Sequence, residues 1–142
     1  MRISRVIQNL FRNQRDVESR PTRAASFPFV SGDTFRLMAG IEFTSSAVEV
    51  RHALNPEFVF ASTNVASDEN FGKRLANAVD DELVSPKATL LIHNGDSPPS
   101  TLQLKEYSRL VDRVYCVNVV EETPACRALP IGLENASLGV NG

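Results

Sequence analysis

Short runs of apolar residues that alternate with amphipathic helical patterns constrain the fold of this chain more than any other feature. Three such runs lie at 58–61, 88–92 and 114–117. Apolar residues on both faces are typical of strands that are buried on both sides, as in a parallel sheet. The apolar stripes between the runs predict helices near 70–83 and 101–112, and Ser100 and Gln103 have capping-box spacing at the start of the second helix. This alternation predicts an α/β fold, a Rossmann-like parallel sheet with flanking helices.

The segments on either side of this repeating unit have weaker patterns. Residues 29–30 predict a short strand, 31–33 a turn, and 34–38 a short helix that Gly40 ends. The stretch at 47–54 fits neither a helical nor a strand period clearly. Near the end of the chain, 128–132 is another apolar run. Its Pro130 cannot donate to a ladder, so an edge strand or a strand end is predicted there.

The first 25 residues form a basic segment, with six arginines against two acids in a chain whose net charge is −2. The apolar stripe of a short helix is formed there by Ile3, Val6, Ile7, Leu10 and Phe11. Such a helix could lie on an anionic membrane, but packing on the domain, or a frayed leader, is the preferred interpretation. A polar linker follows at 13–28. We therefore divide the chain into three parts. Residues 1–27 are a basic helix and linker, residues 28–135 are a Rossmann-like domain, and residues 136–142 are a connection.

Composition and missing motifs exclude several classes of function. The net charge of −2 gives no reason to expect a nucleic-acid partner. No apolar run is long enough to span a bilayer and no secretory signal is recognisable, so a cytoplasmic location is predicted. The sequence has no glycine-rich phosphate loop and no Cys/His cluster with metal spacing, so neither a cofactor nor a metal is predicted. The two cysteines, Cys116 and Cys126, are interpreted as reduced, partly buried thiols.

Polar residues follow the apolar runs at the points where the predicted strands end. They are Asn64 after the first run, His93, Asn94 and Asp96 after the second, and Asn118 after the third. Ligands of open parallel sheets bind beyond the carboxyl ends of the strands, so these residues and the turn at 31–33 are predicted to share one edge. His93 is either a buried, hydrogen-bonded histidine or a base or donor in a cleft.

Three segments in this order resemble an exostosin-like family of glycosyltransferases with the GT-B fold. The segments are SGDTFR at 31–36, LIHNGD at 91–96 and LPIGLEN at 129–135. Family members carry a GDSFR-like turn, a strand ending in HNSD and a PIGLEN segment. This sequence departs from them with Thr34 and Gly95 in place of serines, two small changes, and it lacks a Lys-Thr-Asp pattern at 64–68.

The resemblance implies that residues 28–135 are the acceptor-side domain of an enzyme that transfers a sugar from a nucleotide-sugar to a glycan or other hydroxyl acceptor. In the family a second α/β domain follows PIGLEN and holds most contacts to the nucleotide-sugar. Only seven residues follow Asn135 in this sequence. The sequence therefore leads us to expect that the donor-binding half is missing and that this chain alone transfers no sugar.

The resemblance also implies roles for individual residues. Asp33, His93 and Asp96 would face the cleft, where one of them removes the acceptor proton in an inverting reaction or all three position the acceptor in a retaining one. Substrate contacts are expected from Gly32, Arg36, Asn64, Asn94, Asn118, Glu134 and Asn135. Arg36 could pair with a phosphate or an acid of the substrate, or simply form a surface ion pair. Two other interpretations stay open: a sugar- or nucleotide-binding module without catalysis, and an inert remnant.

Overall fold

A computed structural model describes residues 32–51, 55–119, 121–124 and 126–129. The elements in chain order are α1 (Gly32–Met38), β1 (Ala39–Phe43), β2 (Val48–Val50), β3 (Asn55–Ser62), α2 (Thr63–Ala66), α3 (Phe71–Asp80), β4 (Thr89–His93), α4 (Thr101–Leu110), β5 (Arg113–Val117) and β6 (Cys126–Leu129). The predicted basic helix and linker, the strand at 29–30 and the residues from 130 onward lie outside the described residues.

The described strands form a six-stranded sheet in the order β2-β1-β3-β4-β5-β6. β1 pairs with β3, and β3, β4, β5 and β6 pair in succession, all in parallel. β2 alone is antiparallel, against β1. The predicted parallel pairing of the second and third apolar runs is confirmed by the register of Leu90 against Val114. The fold is α/β with a mostly parallel, Rossmann-like sheet, as the sequence predicted.

Two apolar clusters cover the two faces of this sheet. The larger cluster packs one face of the strands, through residues such as Val59, Leu90 and Val114, against Leu75 of α3 and Leu104 of α4. The smaller cluster lies on the opposite face and contains Ala39, Phe60, Leu91 and Leu129, with Phe35 of α1 packed against it. Helices on both faces explain why the strands read as continuous apolar runs.

A row of three aromatic rings joins β1 to both helices of the larger cluster. Phe43 meets Phe71 edge-on at 5.2 Å between ring centroids, and Phe71 meets Tyr107 in the same way at 5.0 Å. The Tyr107 hydroxyl donates to the carbonyl of Ala66 at 2.6 Å, which also ties α4 to α2. Edge-to-face pairs add roughly 0.5–1.5 kcal/mol to the burial of the rings themselves.

The capping signal predicted for the second helix is confirmed. The Ser100 side chain accepts from the backbone N–H of Gln103, and the Gln103 side chain accepts from the N–H of Ser100. The two groups satisfy each other's free donors at the start of α4. Both helices are shorter than predicted. Helix α4 ends at Leu110 rather than at 112, and α3 ends at Asp80 rather than at 83.

The prediction that Gly40 ends the first helix was wrong. Helix α1 ends at Met38, and Gly40 lies inside β1, a strand that the sequence analysis missed. β1 was missed because Glu42 interrupts its apolar pattern. That carboxylate is buried and accepts from the guanidinium groups of Arg36, at 2.7 Å, and Arg51. Residues 48–50 of the ambiguous stretch form β2 on the far side of β1.

We expect Tyr107→Phe to lower the free energy of unfolding by about 1–3 kcal/mol, because the buried carbonyl of Ala66 loses its donor while the ring stays in place. Denaturant titration followed by circular dichroism would measure this. Tyr115→Phe is the matched control, since it removes the same atom from a half-buried ring. An equal fall in the free energy of unfolding in the two variants would show that the hydrogen bond of the Tyr107 hydroxyl does not contribute specifically to stability.

Both cysteines are buried on neighbouring strands, as free thiols. Burial raises the pKa of the Cys116 thiol to about 12, and it also raises the pKa of Cys126, where Glu122 adds to the effect. Cys126 lies opposite Val114 rather than opposite Cys116. Such a diagonal pair of a parallel sheet has its Cα atoms roughly 7–8 Å apart or more, beyond the usual disulfide range. The expectation of reduced thiols agrees with this geometry.

These pKa shifts predict that the protein becomes less stable in alkaline solution. Above pH 9.0, the ordinary thiol pKa, the unfolded chain loses thiol protons that the folded chain keeps, so the free energy of unfolding falls as pH rises. Urea titrations at pH 8 and pH 10 would measure the fall. It should be smaller in a Cys116→Ala, Cys126→Ala double variant. An identical pH dependence in the two proteins would contradict the prediction.

Candidate site at the carboxyl edge of the sheet

The end of β4 and the loop that follows it meet α1 at the carboxyl edge of the sheet. His93 ends β4, and its side chain lies on the α1 face because side chains alternate along a strand and Leu91 is on that face. Phe35 of α1 packs on the His93 ring at 5.5 Å between centroids. This packing holds the start of α1 directly over the end of β4.

A hydrogen bond joins the first turn of α1 to the loop after β4. The side-chain amide of Asn94 donates to Oδ1 of Asp33 at 3.3 Å, across 61 residues of sequence. Gly32 makes this approach possible, since a Cβ on it would lie 1.5 Å from Oδ1 of Asn94 and 2.5 Å from Nδ1 of His93. Two segments that are far apart in the chain therefore form one cluster.

Asn94 holds the imidazole ring of His93 from one side. The Nδ1 atom of His93 accepts from the backbone N–H of Asn94 at 2.7 Å and lies 3.3 Å from Oδ1 of the same residue. This nitrogen is therefore engaged inside the cluster, and a role for it as a proton acceptor would require the Asn94 contact to open.

The loop after β4 also contacts the segments that follow both neighbouring strands. Gly95 lies against Thr63 at the start of α2, with a Cβ on Gly95 only 1.9 Å from Thr63 Oγ1. The Asn118 side chain, after β5, donates to the carbonyl of Asp96 at 3.3 Å. The Ser67 hydroxyl donates to the carbonyl of Ser97 at 3.4 Å. The loop after β4 therefore lies between the segments that follow β3 and β5 and contacts both of them.

Two of the three asparagines that the sequence singled out at strand ends adopt left-handed backbone conformations. The φ angle is 63° at Asn94 and 56° at Asn118. Asparagine is several-fold enriched in this region because its short polar side chain can bond locally. A turning role therefore accounts for the residue type at both positions, whether or not either one also touches a ligand.

The edge has a buried floor and an exposed rim. Asp33 and His93, which the resemblance placed facing the cleft, are 1% and 6% exposed and belong to the floor. Asn64, Asp96 and Asn118 are exposed and form the rim. Of the three residues that the resemblance predicts to be catalytic, Asp96 is therefore the one whose side chain is open to solvent in this conformation.

The remaining residues expected to contact substrate are placed differently. Arg36 pairs with the buried Glu42 through its Nε, so this group is committed to a contact within the protein. Arg51 joins the same carboxylate and donates to the carbonyl of Arg36 at 2.9 Å. Glu134 and Asn135 lie outside the described residues, so their predicted roles stay predictions.

Two residues of the site escaped the sequence analysis. Thr63 is fully buried beneath Gly95, and its hydroxyl finds no hydrogen-bond partner in the described part of the chain. Glu42 anchors Arg36 beside the same helix. Neither residue belongs to a motif that marks it in the sequence, because a single threonine after a strand and a single glutamate are common in any fold. At Gly95, which replaces a serine of the family, Thr63 Oγ1 occupies the space that a Cβ would need.

Within the described ranges, no group of His, Cys, Asp and Glu side chains is arranged to hold a metal ion. No helix there is long and apolar enough to cross a bilayer. Comparisons of the chain with protein-family models, with curated proteins and with solved structures found no match. The exostosin-like resemblance therefore stays a prediction from three sequence segments, two of which the fold brings into contact.

We expect Gly95→Ala to lower the free energy of unfolding by about 1–3 kcal/mol, since its methyl group would overlap Thr63 Oγ1. Thermal unfolding of Gly95→Ala, Thr63→Ala and the double variant would measure the coupling. The loss should shrink in the Thr63→Ala background, where that oxygen is gone.

Gly72→Ala is the matched control. Its methyl group would meet the flexible end of Glu106, which can move aside, so the helix gains up to about 1 kcal/mol from the better helix former. Losses at Gly95 that add independently of Thr63 would contradict the proposed close contact.

Proposed function

We propose that the carboxyl edge of this sheet is the acceptor-side surface of a glycosyltransferase that transfers a sugar from a nucleotide-sugar to a hydroxyl acceptor. The observation that carries the proposal is the contact between Asn94 and Asp33. Each belongs to one of the segments that resemble the exostosin-like family, and 61 residues separate them. Two family-like segments that pack together at a ligand-binding edge are what a shared active site requires.

The chemistry of the rim suits a hydroxyl-rich ligand. Asp96 offers a carboxylate that accepts hydrogen bonds from hydroxyl groups, while Asn64 and Asn118 offer amides that both donate and accept. In an inverting transfer, Asp96 would take the proton of the attacking hydroxyl as the new glycosidic bond forms and the nucleoside diphosphate departs. In a retaining transfer it would hold the acceptor in line.

The floor has a positioning role in this proposal. The carboxylate of Asp33 holds the Asn94 side chain, and the Asn94 backbone N–H in turn holds His93. Asn94 is the residue whose left-handed turn directs Gly95 and Asp96 to the rim. Asp33 and His93 would thus act through the loop that carries Asp96, and substitutions of either should alter the geometry of the rim.

A second candidate function is favoured by one observation, the burial of Asp33 and His93. If neither reaches a ligand, the edge could serve a sugar- or nucleotide-binding module without catalysis. Asp96→Asn separates the two. Tested together with the donor-binding half that the resemblance implies, this variant would leave acceptor binding largely intact in an enzyme that needs Asp96 as a base, because an amide still hydrogen-bonds to hydroxyls, yet abolish transfer.

We expect the purified chain to bind hydroxyl-rich oligosaccharides weakly through the rim and, offered a panel of nucleotide-sugars together with these acceptors, to transfer no sugar. Two-dimensional NMR of the labelled chain, titrated with a panel of oligosaccharides, should show shifts centred on residues 93–97 and 118. Asp96→Ala should weaken binding about tenfold, the value of one charge-assisted hydrogen bond. Asp80→Ala is the matched control, since this exposed carboxylate lies in the last turn of α3.

Two results would count against the proposal. Shifts confined to other parts of the sheet would show that the carboxyl edge is not the acceptor surface. Turnover by the chain alone would show that a complete donor and acceptor site already exists in these residues, and the expected division of labour between two domains would be wrong.

A further inference from the structure

A cavity lies on the α1 face of the sheet near the amino ends of β5 and β6. Its volume is about 310 Å³, and its lining includes Arg113, Tyr115 and Arg127. Arg113 is the first residue of β5 and Arg127 the second residue of β6. The carboxyl-edge site lies at the other ends of the strands, so the two sites are separate.

The sheet geometry directs these three side chains to one side. Arg113 and Tyr115 are two residues apart on β5 and therefore share a face. Tyr115 lies directly opposite Arg127 in the parallel register of β5 and β6. The alternate residues, Val114 and Cys126, belong to the larger core on the other face. Tyr115 is thus the neighbour of both arginines on this face, of Arg113 along β5 and of Arg127 across to β6.

The charges around the cavity leave cationic groups available. Within the described part of the chain, Arg127 has no ion-pair partner. Arg113 meets Asp112 through Nε at 3.4 Å, with both side chains more than half exposed, at 67% and 57%. Solvent screens a pair this exposed, so it contributes little and leaves the Arg113 charge available. The nearby Glu122 carboxylate accepts from the backbone N–H of Ala128 at 2.7 Å, which holds it against β6.

We propose that this cavity binds a phosphate monoester that carries a flat ring. Guanidinium groups present paired donors that match phosphate oxygens, and they stay protonated at any physiological pH. The Tyr115 ring offers a surface on which a flat group stacks. The volume of about 310 Å³ corresponds to about ten water molecules, so it admits a ring beside the phosphate. Neither the phosphate nor the ring is used by the carboxyl-edge proposal.

The test uses the whole chain and AMP as the probe, with adenosine and inorganic phosphate as the partial ligands. Isothermal titration calorimetry should show AMP binding more tightly than either, and NMR shifts should centre on 113–115 and 127. Arg127→Gln should weaken AMP binding about tenfold or more, since it removes a charge-assisted contact. Tyr115→Leu should weaken AMP more than inorganic phosphate.

Arg109→Gln is the matched control, because it removes the same charge from the last turn of α4 and should leave the affinity unchanged. Circular dichroism of each variant separates a lost site from a lost fold. Equal affinity for AMP and adenosine would overturn the role of the arginines, and equal affinity for AMP and inorganic phosphate would overturn the role of the ring. Unchanged AMP binding in Arg127→Gln would overturn the site itself.

Discussion

The rest of the structure depends on the need to cover both faces of the central parallel strands with apolar groups. Val59, Leu90 and Val114 lie on one face and are covered by α3 and α4. Phe60 and Leu91 lie on the other, where Phe35 of α1 packs. Burial of this kind contributes roughly 25 cal/mol for each square ångström of apolar surface removed from water. Because α1 must lie over the strands, its first turn is brought against the end of β4, and the carboxyl-edge site follows from that placement.

A buried ion cluster fixes the position of α1 along the sheet. Glu42 of β1 accepts from Arg36 of α1 and from Arg51 after β2, and Arg51 also bonds to the carbonyl of Arg36. The Glu42 carboxylate is buried while both arginines are partly exposed, so removal of either arginine would leave a buried charge less well compensated and would be destabilising. The cluster therefore holds α1 in register with β1, and the contact between Asp33 and Asn94 at the site depends on that register.

The two proposed sites use different parts of the same sheet. At the carboxyl edge, the loops that follow the strands are not bound to the alternating pattern of a strand. They present carboxylate and amide groups such as Asp96 and Asn118. On the α1 face over β5 and β6, the strands themselves present Arg113, Tyr115 and Arg127 at fixed spacing. Side chains on strands are held more rigidly than those on loops, which suits recognition of a small anion. The edge, by contrast, suits a larger ligand with several hydroxyl groups.

The sequence by itself determined the α/β class, the parallel pairing of β4 and β5 and the capping of α4, because these depend on local apolar period and local hydrogen bonds. It also placed His93, Asn94 and Asp96 at a strand end. Only the tertiary structure decided that β1 is a strand despite Glu42, since that carboxylate is neutralised by partners from other elements. Only the tertiary structure decided that His93 belongs to a buried floor and Asp96 to an exposed rim, because burial depends on which helix packs above a residue, and no local pattern records it.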